Sequence, residues 1–250
     1  MKAIKYLVLI FLLPQALYAQ DPIRIGDFDK IIVSPHINLV LTYGKDPSVK
    51  ISASNVDEDK IIVDTDNDVL SIYLEGARYG NKYEKQERYD KNYRGKWKED
   101  IYKDAEVTAY VTFDYLKTLQ VRGDQTVVCK DRIDQHSMKV TLYGEIDLRL
   151  SSVNVDELRI NLYGENEVTV ESGKVDKQMI KCYGENRLNL DEIETDDIRS
   201  TLYGENTLNL RADGEIKVTA FGESDVRFRG NAYVNKGIII GDTDIRRLSK

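Results

Sequence analysis

Histidine and cysteine are nearly missing from this chain: two of each occur in 250 residues. His36 and His136 stand far apart beside sequence turns, so neither belongs to a cluster of general bases or metal ligands. No Ser/His/Asp or Cys/His arrangement, no Gly-rich phosphate loop and no Cys/His metal spacing can be found. The sequence therefore implies no catalytic residue, no metal and no cofactor. A positive excess is missing too: the net charge is −7 and the pI about 5.1, which excludes the basic footprint of a nucleic-acid binder. Long apolar runs are absent except near the start. There, Lys2 and Lys5 precede the run Tyr6 to Leu13, and Leu17-Tyr18-Ala19 stands before Gln20. This is the layout of a secretory signal over residues 1–19, too short in its apolar part to be a membrane span. No cysteine follows closely enough for lipid attachment to the mature N-terminus, and no later segment is apolar enough to cross a bilayer.

What the chain has in place of these is repetition. TLYGEI at 141–146, NLYGEN at 161–166, KCYGEN at 181–186 and TLYGEN at 201–206 are versions of one phrase, with a looser AFGESD at 220–225. Glycines recur at Gly123, Gly144, Gly164, Gly184, Gly204, Gly222 and Gly241, at intervals of 21, 20, 20, 20, 18 and 19 residues. A fixed short period means one structural unit stacked on itself. Between the glycines the pattern has period two: Leu158, Ile160 and Leu162 alternate with Arg159 and Asn161, and Val168 and Val170 with Thr169 and Glu171. Each repeat is thus predicted to hold two or three strands of about five residues, with bends at Gly-Glu, at Ser-Gly or Ser-Ser, and at an Asp. The fold class is all-β, a parallel β-helix with coils of about 20 residues.

Aligning the coils by glycine produces columns. Leu142, Leu162, Cys182, Leu202 and Ala220 form one inward column, and Leu148, Val168, Leu188, Leu208 and Val226 another. Cys129 aligns with the inward Leu150. It is then about 10–14 Å along the axis from Cys182, beyond the reach of about 7 Å that a disulfide needs. Both cysteines are expected to be free core residues. Asn166, Asn186 and Asn206 form a ladder whose amides bond along the rod. Outside lie two further columns: the rings Tyr143, Tyr163, Tyr183, Tyr203 and Phe221, and the carboxylates Glu145, Glu165, Glu185, Glu205 and Glu223. Charges about 5 Å apart repel by roughly 1 kcal/mol even in water. The Glu column therefore either splays into solvent among nearby Arg and Lys or holds divalent cations, Ca²⁺ being the best match to hard oxygens.

The chain divides into the signal, 1–19, an N-terminal β region, 20–118, and the regular coils with a C-terminal cap, 119–250. In the N-terminal region, strands are predicted at Ile31 to Val33, Ile37 to Thr42, Val49 to Ala53, Ile61 to Asp64, Val69 to Leu74, Ala105 to Phe113 and Thr118 to Val121. They either begin the helix irregularly or form a small sheet that caps it. An insertion at 76–104 interrupts them. It interleaves Tyr79, Tyr83, Tyr89, Tyr93, Trp97 and Tyr102 with Arg and Lys and several acids. Such a segment either is a long solvated hairpin or grips an anionic polymer, with Trp97 as a candidate contact. Arg229 to Lys236 reads as polar and turn-forming, and Gly237 to Leu248 as a last strand pair that makes the C-terminal cap.

These pieces resemble the bacterial family described as putative auto-transporter adhesin, head GIN domain, common in Bacteroidetes. The resemblance covers nearly the whole mature chain. It is carried by Phe28 to Ile31, by His36-Ile37-Asn38 with His in place of the family's Gly, by Leu41-Thr42-Tyr43-Gly44 and by Arg229-Gly230-Asn231. The family's Ser-Gly-Gly/Ala-Ser corner stands where this chain writes Tyr-Gly-Glu-Asn. The resemblance implies a right-handed β-helix, exported, in an adhesive role. The auto-transporter's membrane barrel is not carried over, because no length for it follows Leu248. The Tyr at each corner is a departure that adds a ring ladder.

Taken together, these features predict an exported, non-catalytic cell-envelope protein that is periplasmic, outer-membrane-associated or extracellular. Its candidate binding residues are Tyr143, Tyr163, Tyr183, Tyr203, Phe221 and Trp97. The partner is a surface glycan, a protein or a second copy, and not nucleic acid. Two other readings stay open. One is a polysaccharide-active lyase or hydrolase, against which stands the lack of cleft-building loops. The other is a purely structural periplasmic role, in which the rings only stack on one another.

Overall fold

The computed structural model describes residues 22–76, 102 and 105–248. The signal at 1–19 and Trp97, with nearly all of the insertion at 76–104, lie outside the described residues. Among the described residues fifteen strands follow in order: β1 (Ile23–Arg24), β2 (Lys30–Val33), β3 (Ile37–Tyr43), β4 (Ser48–Ser54), β5 (Ile61–Asp66), β6 (Val69–Leu74), β7 (Glu106–Phe113), β8 (Thr118–Gly123), β9 (Thr126–Gly144), β10 (Asp147–Val170), β11 (Gly173–Leu190), β12 (Ile193–Arg211), β13 (Glu215–Arg229), β14 (Tyr233–Ile240) and β15 (Thr243–Arg247). A short 3-10 turn, Glu58–Lys60, separates β4 from β5. The strands stack in parallel as a β-solenoid of about 6 turns with a repeat of about 20 residues.

In the regular coils, β9 to β13, the strands are much longer than the predicted five residues. β10 alone runs for 24 residues, more than a full coil. The reason lies in the register. Gly164 pairs with Gly184, Glu165 with Glu185 and Asn166 with Asn186, so even corner residues meet their own counterparts one coil away. The backbone ladder is therefore not broken at the bends, and bends alone do not end a strand.

The corner explains the glycine. Gly164 has φ 113° and Gly184 φ 110°. A Cβ on Gly184 would sit 2.4 Å from the carbonyl oxygen of Gly164, and one on Gly164 2.3 Å from that of Gly144. Only a residue without Cβ can take this backbone and stack this closely. Inside the corner, the interior is apolar: Leu142, Leu162, Cys182, Leu202 and Ala220 are all fully buried. Both cysteines are free, as their columns require.

The N-terminal region contains both an irregular start and a cap. β3 pairs in parallel with β7 on one side and β9 on the other, and β2 in parallel with β6 and β8. The coil made by β2 and β3 thus lies between a later coil, β6 with β7, and the regular stack that begins at β8. Spatial order departs from chain order here. Beyond β6 and β7 the direction reverses: β5 pairs antiparallel with β6, β4 with β7, and β1 with β4. These antiparallel strands cover the parallel edge that the first coil would otherwise expose.

At the other end the cap is itself a last coil. β14 and β15 both pair in parallel with β13, with a register shift between Val218 and Ala220. Tyr233 to Lys236, expected to be turn, already belongs to β14. The turn is confined to Gly230–Ala232, where Ala232 N–H donates to Ala212 O at 3.0 Å.

Candidate functional site

Alternation along each strand decides what faces solvent. Leu162 points into the rod, so Tyr163 next to it points out. The in-register pairing then places ring on ring. Tyr143 and Tyr163 stack at 4.9 Å between centroids, Tyr163 and Tyr183 at 5.0 Å, Tyr183 and Tyr203 at 4.8 Å, and Tyr203 and Phe221 at 4.8 Å. Interplanar angles are between 3° and 9°, so the rings are parallel plates. Tyr163, Tyr183 and Tyr203 remain 36%, 38% and 37% exposed.

This geometry limits what the ladder can touch. Each inner ring gives both faces to its neighbours, leaving its edge and its phenol hydroxyl to solvent. The ends are also occupied. The Arg122 guanidinium lies over the Tyr143 ring at 5.0 Å, and beyond Phe221 the register places Ile240. Mutual covering also affects ionisation. Partial burial, and then the neighbouring phenols of Tyr143 and Tyr183, raise the pKa of Tyr163 above the ordinary tyrosine value.

The carboxylate column is formed as the repeat requires. Glu145, Glu165, Glu185, Glu205 and Glu223 are all exposed, one per coil, just past the glycine corner. Among the described residues no group of three or more His, Cys, Asp or Glu is placed to hold a metal ion.

Behind the corner the Asn ladder is buried and bonded. Asn166 Nδ2 donates to Asn186 Oδ1 at 3.0 Å and Asn186 Nδ2 to Asn206 Oδ1 at 3.1 Å. The ladder also serves the main chain: Ile146 N–H donates to Asn166 Oδ1 and Asn166 N–H to Asn186 Oδ1, each at 3.2 Å. Buried amides of this kind hold the corner together and are not available to a ligand.

The two histidines are not brought together. His36 occupies the bend between β2 and β3 with φ 71°, in the left-handed region, and its ring lies 6.4 Å from that of Tyr102. This is where the resembled family has glycine, and the backbone conformation explains that preference. Tyr102 itself is buried and donates to Glu75 O at 2.8 Å, so at least this part of the insertion joins the core. His136 lies within β9 and pairs with Asp156 of the next coil. Concavities are slight. One groove of about 390 Å³ is lined by Tyr43, Asp131, Arg132 and Asp134, and another of about 410 Å³ by Ile23, Ile51 and their neighbours at the N-terminal end.

Sequence reading missed two features beside the ladder. One is the cation over its first ring. The other is a column of basic residues four positions before every ring but Tyr183, where Met179 stands, which the same alignment by glycine contains.

Comparison with known proteins places the fold. The crystal structure of a putative adhesin from Parabacteroides merdae superposes with a TM-score of 0.61 at 14% identity, covering 92% of this chain and 95% of that one. For a putative adhesin from Bacteroides fragilis the TM-score is 0.67 at 12% identity, with 91% and 95% covered. A putative lipid binding protein from Parabacteroides distasonis gives 0.62 at 14%, with 92% and 96% covered. At such identities the likeness is one of fold. No curated protein matches the sequence. The sequence profile described as "Putative auto-transporter adhesin, head GIN domain" matches residues 27–232, and the chain belongs to that family.

Proposed function

We propose that this protein is a non-catalytic, adhesin-like contact module of the bacterial cell envelope, exported by the segment 1–19, and that the ring ladder is its contact surface. The family's description supports the adhesive reading. The observation that carries it is the ladder itself: five aromatic rings in register on the outside of a rigid rod, a contiguous aromatic stripe of the kind that marks interaction sites. Evenly spaced equivalent groups suit multivalent contact, in which weak sites act together. The two grooves noted above are open to solvent and neither lies on the ladder, which weighs against the polysaccharide-active alternative.

One observation favours a second reading. The ring faces are spent on one another, and a ladder that only braces the corner would look the same. The test is a glycan and matrix-protein array probed with the wild type and with Tyr163→Ser/Tyr183→Ser. Contact through the ladder predicts binding without turnover, lost in the double variant while its melt stays cooperative. A double variant that keeps every binding property, or loses its cooperative melt, assigns the ladder to the structure instead.

A further inference from the structure

The rings stand on strands whose other outward positions are also in columns. Two residues before the rings come Thr141, Asn161, Lys181, Thr201 and Thr219; four before come Lys139, Arg159, Met179, Arg199 and Lys217, all paired in register. Lys139, Arg159, Lys181, Arg199 and Lys217 are exposed, and Arg122 extends the ring column by its guanidinium. No carboxylate occupies any outward position of these three columns. Arg159 pairs with Glu157 at the border. Among the described residues, Lys139, Lys181, Arg199 and Lys217 have no carboxylate within ion-pair distance. A chain of net charge −7 thus carries a cationic stripe on one sheet face, bounded by the Glu column beyond the glycine corner on one side and by Glu157, Asp197 and Glu215 on the other.

Three features of this face narrow its partner. First, every charged group of these three columns is a cation and a donor, and the ring rims are positive. Ring edges carry the positive part of the aromatic quadrupole, and the phenols, ammonium groups and guanidinium groups all donate. Second, sugars or bases that dock by stacking on ring faces find none free, which disfavours neutral glycan platforms and single-stranded nucleic acid alike. Third, the side chains of Asn161, Thr201 and Thr219 run between cations and rings, so in three of the five coils a bound chain meets these hydrogen-bonding groups as well as charge. We infer that an extended anionic polysaccharide, bearing carboxylates or sulfates along its length, lies along this face parallel to the rod axis. Its acid groups pair with Lys139, Lys181, Arg199 and Lys217, and its oxygens accept from the phenols. This rests on the contact-surface reading above and names its ligand class.

The test uses the full chain against immobilised polygalacturonate and dextran sulfate, with uncharged dextran, polyglutamate and a single-stranded DNA oligomer as comparisons. Expected are binding to both polyanionic glycans that weakens as salt rises, no retention on dextran, and an affinity about tenfold or more lower for Lys181→Gln/Arg199→Gln. Both substitutions lie on exposed side chains, so the melt of that variant should match the wild type. Equal binding of dextran, or a charge variant that binds as well as wild type, overturns the inference. Equal binding of polyglutamate or DNA overturns it in favour of an acidic protein or a nucleic acid. A wild type that retains a ladder-dependent array ligand but ignores the polyanions removes this inference and leaves the contact surface standing; a wild type that binds nothing removes both.

Discussion

The regular coils and the N-terminal coils build one continuous rod by different means. From Gly144 to Gly222 the residues around each corner stack on their own counterparts, so interior, corner and exterior repeat together. The two N-terminal coils, β2 with β3 and β6 with β7, are also parallel and bury apolar side chains, yet no phrase repeats. Ile31, Leu70 and Leu119 are all fully buried and paired across β2, β6 and β8, although they come from distant parts of the sequence. The difference shows that a solenoid needs only apolar side chains in register. The repeated phrase answers a narrower demand, that of the glycine corner with its Asn, Tyr and Glu.

That contrast is sharpest at glycine. Gly184→Ala forces a Cβ to within 2.4 Å of a backbone oxygen at φ 110°, where neither partner can move without shifting the whole stack. Backbone strain and overpacking together should cost about 3 kcal/mol or more. Gly26→Ala, in the N-terminal region, meets nothing within 4 Å and should change stability by about 0.5 kcal/mol or less. Urea unfolding of the two variants checks this. Equal losses would mean that the corner glycine is a relic of repetition rather than a steric requirement.

Next in size is the Asn ladder. Asn186→Ala removes the acceptor for the main-chain and side-chain N–H groups of Asn166 and the donor to Asn206, all in buried surroundings. The expected cost is about 2–3 kcal/mol. In the N-terminal coils a comparable task falls to Asn38, whose side chain accepts from Thr126 N–H at 2.9 Å in an exposed setting. Asn38→Ala should cost about 1 kcal/mol or less, since water can replace the lost partner. A thermal melt that ranks the two variants the other way round would deny the ladder its role in closing the corner.

How far the sequence was legible follows the same boundary. In the regular coils the inward Leu columns, the free cysteines, the Asn ladder and the outward rings could all be read by aligning glycines, because each position is its own nearest neighbour. The order β6–β2–β8 could not, because pairing between non-consecutive strands of similar apolar content leaves no mark in either one. Nor could the strand lengths, since bends that break a lone strand do not break a ladder stacked in register. For the site, sequence gave the ring column but not the plane of the rings, and it is the plane that withdraws their faces from a ligand. The basic column was present in the same alignment, hidden by Met179 in its middle.

A third comparison sets Cys129, next to the irregular coils, against Cys182 within the regular ones. Burial pushes the Cys129 thiol up to about 11, although its contact with Asp131 O at 3.6 Å works slightly the other way. Burial pushes Cys182 to about 12. Both values lie above the ordinary thiol value of 9.0. The unfolded thiols therefore ionise first, so this contribution to stability is full below pH 9 and is lost as pH climbs through 11 and 12. The melting temperature should fall over that window, and less so in Cys182→Ala relative to its own value at neutral pH. In the native protein neither thiol should react with a disulfide reagent near neutral pH, and two equivalents should appear on unfolding without reductant. If one reacts early it should be Cys129; early reaction at Cys182 would place the weaker packing in the regular coils.

The smallest effect expected is at His36, where the N-terminal coil makes a tight bend without glycine. Its φ of 71° lies in the left-handed region, which costs a side-chain-bearing residue about 1–2 kcal/mol. Glycine takes that conformation freely but loses more chain entropy on folding, about 0.5–1 kcal/mol. His36→Gly also gives up a tilted ring contact with Tyr102, which at 6.4 Å is near the outer limit of such contacts. The balance favours glycine by about 0.5 kcal/mol, so the variant that restores the family's Gly-Ile-Asn should be slightly more stable. Chemical denaturation with an unchanged slope would register this as a small shift of midpoint. A destabilised His36→Gly would mean instead that the contact between His36 and Tyr102 outweighs the backbone strain, and that the irregular coils depend on the insertion's Tyr102 for closure where the regular coils depend only on their own repeat.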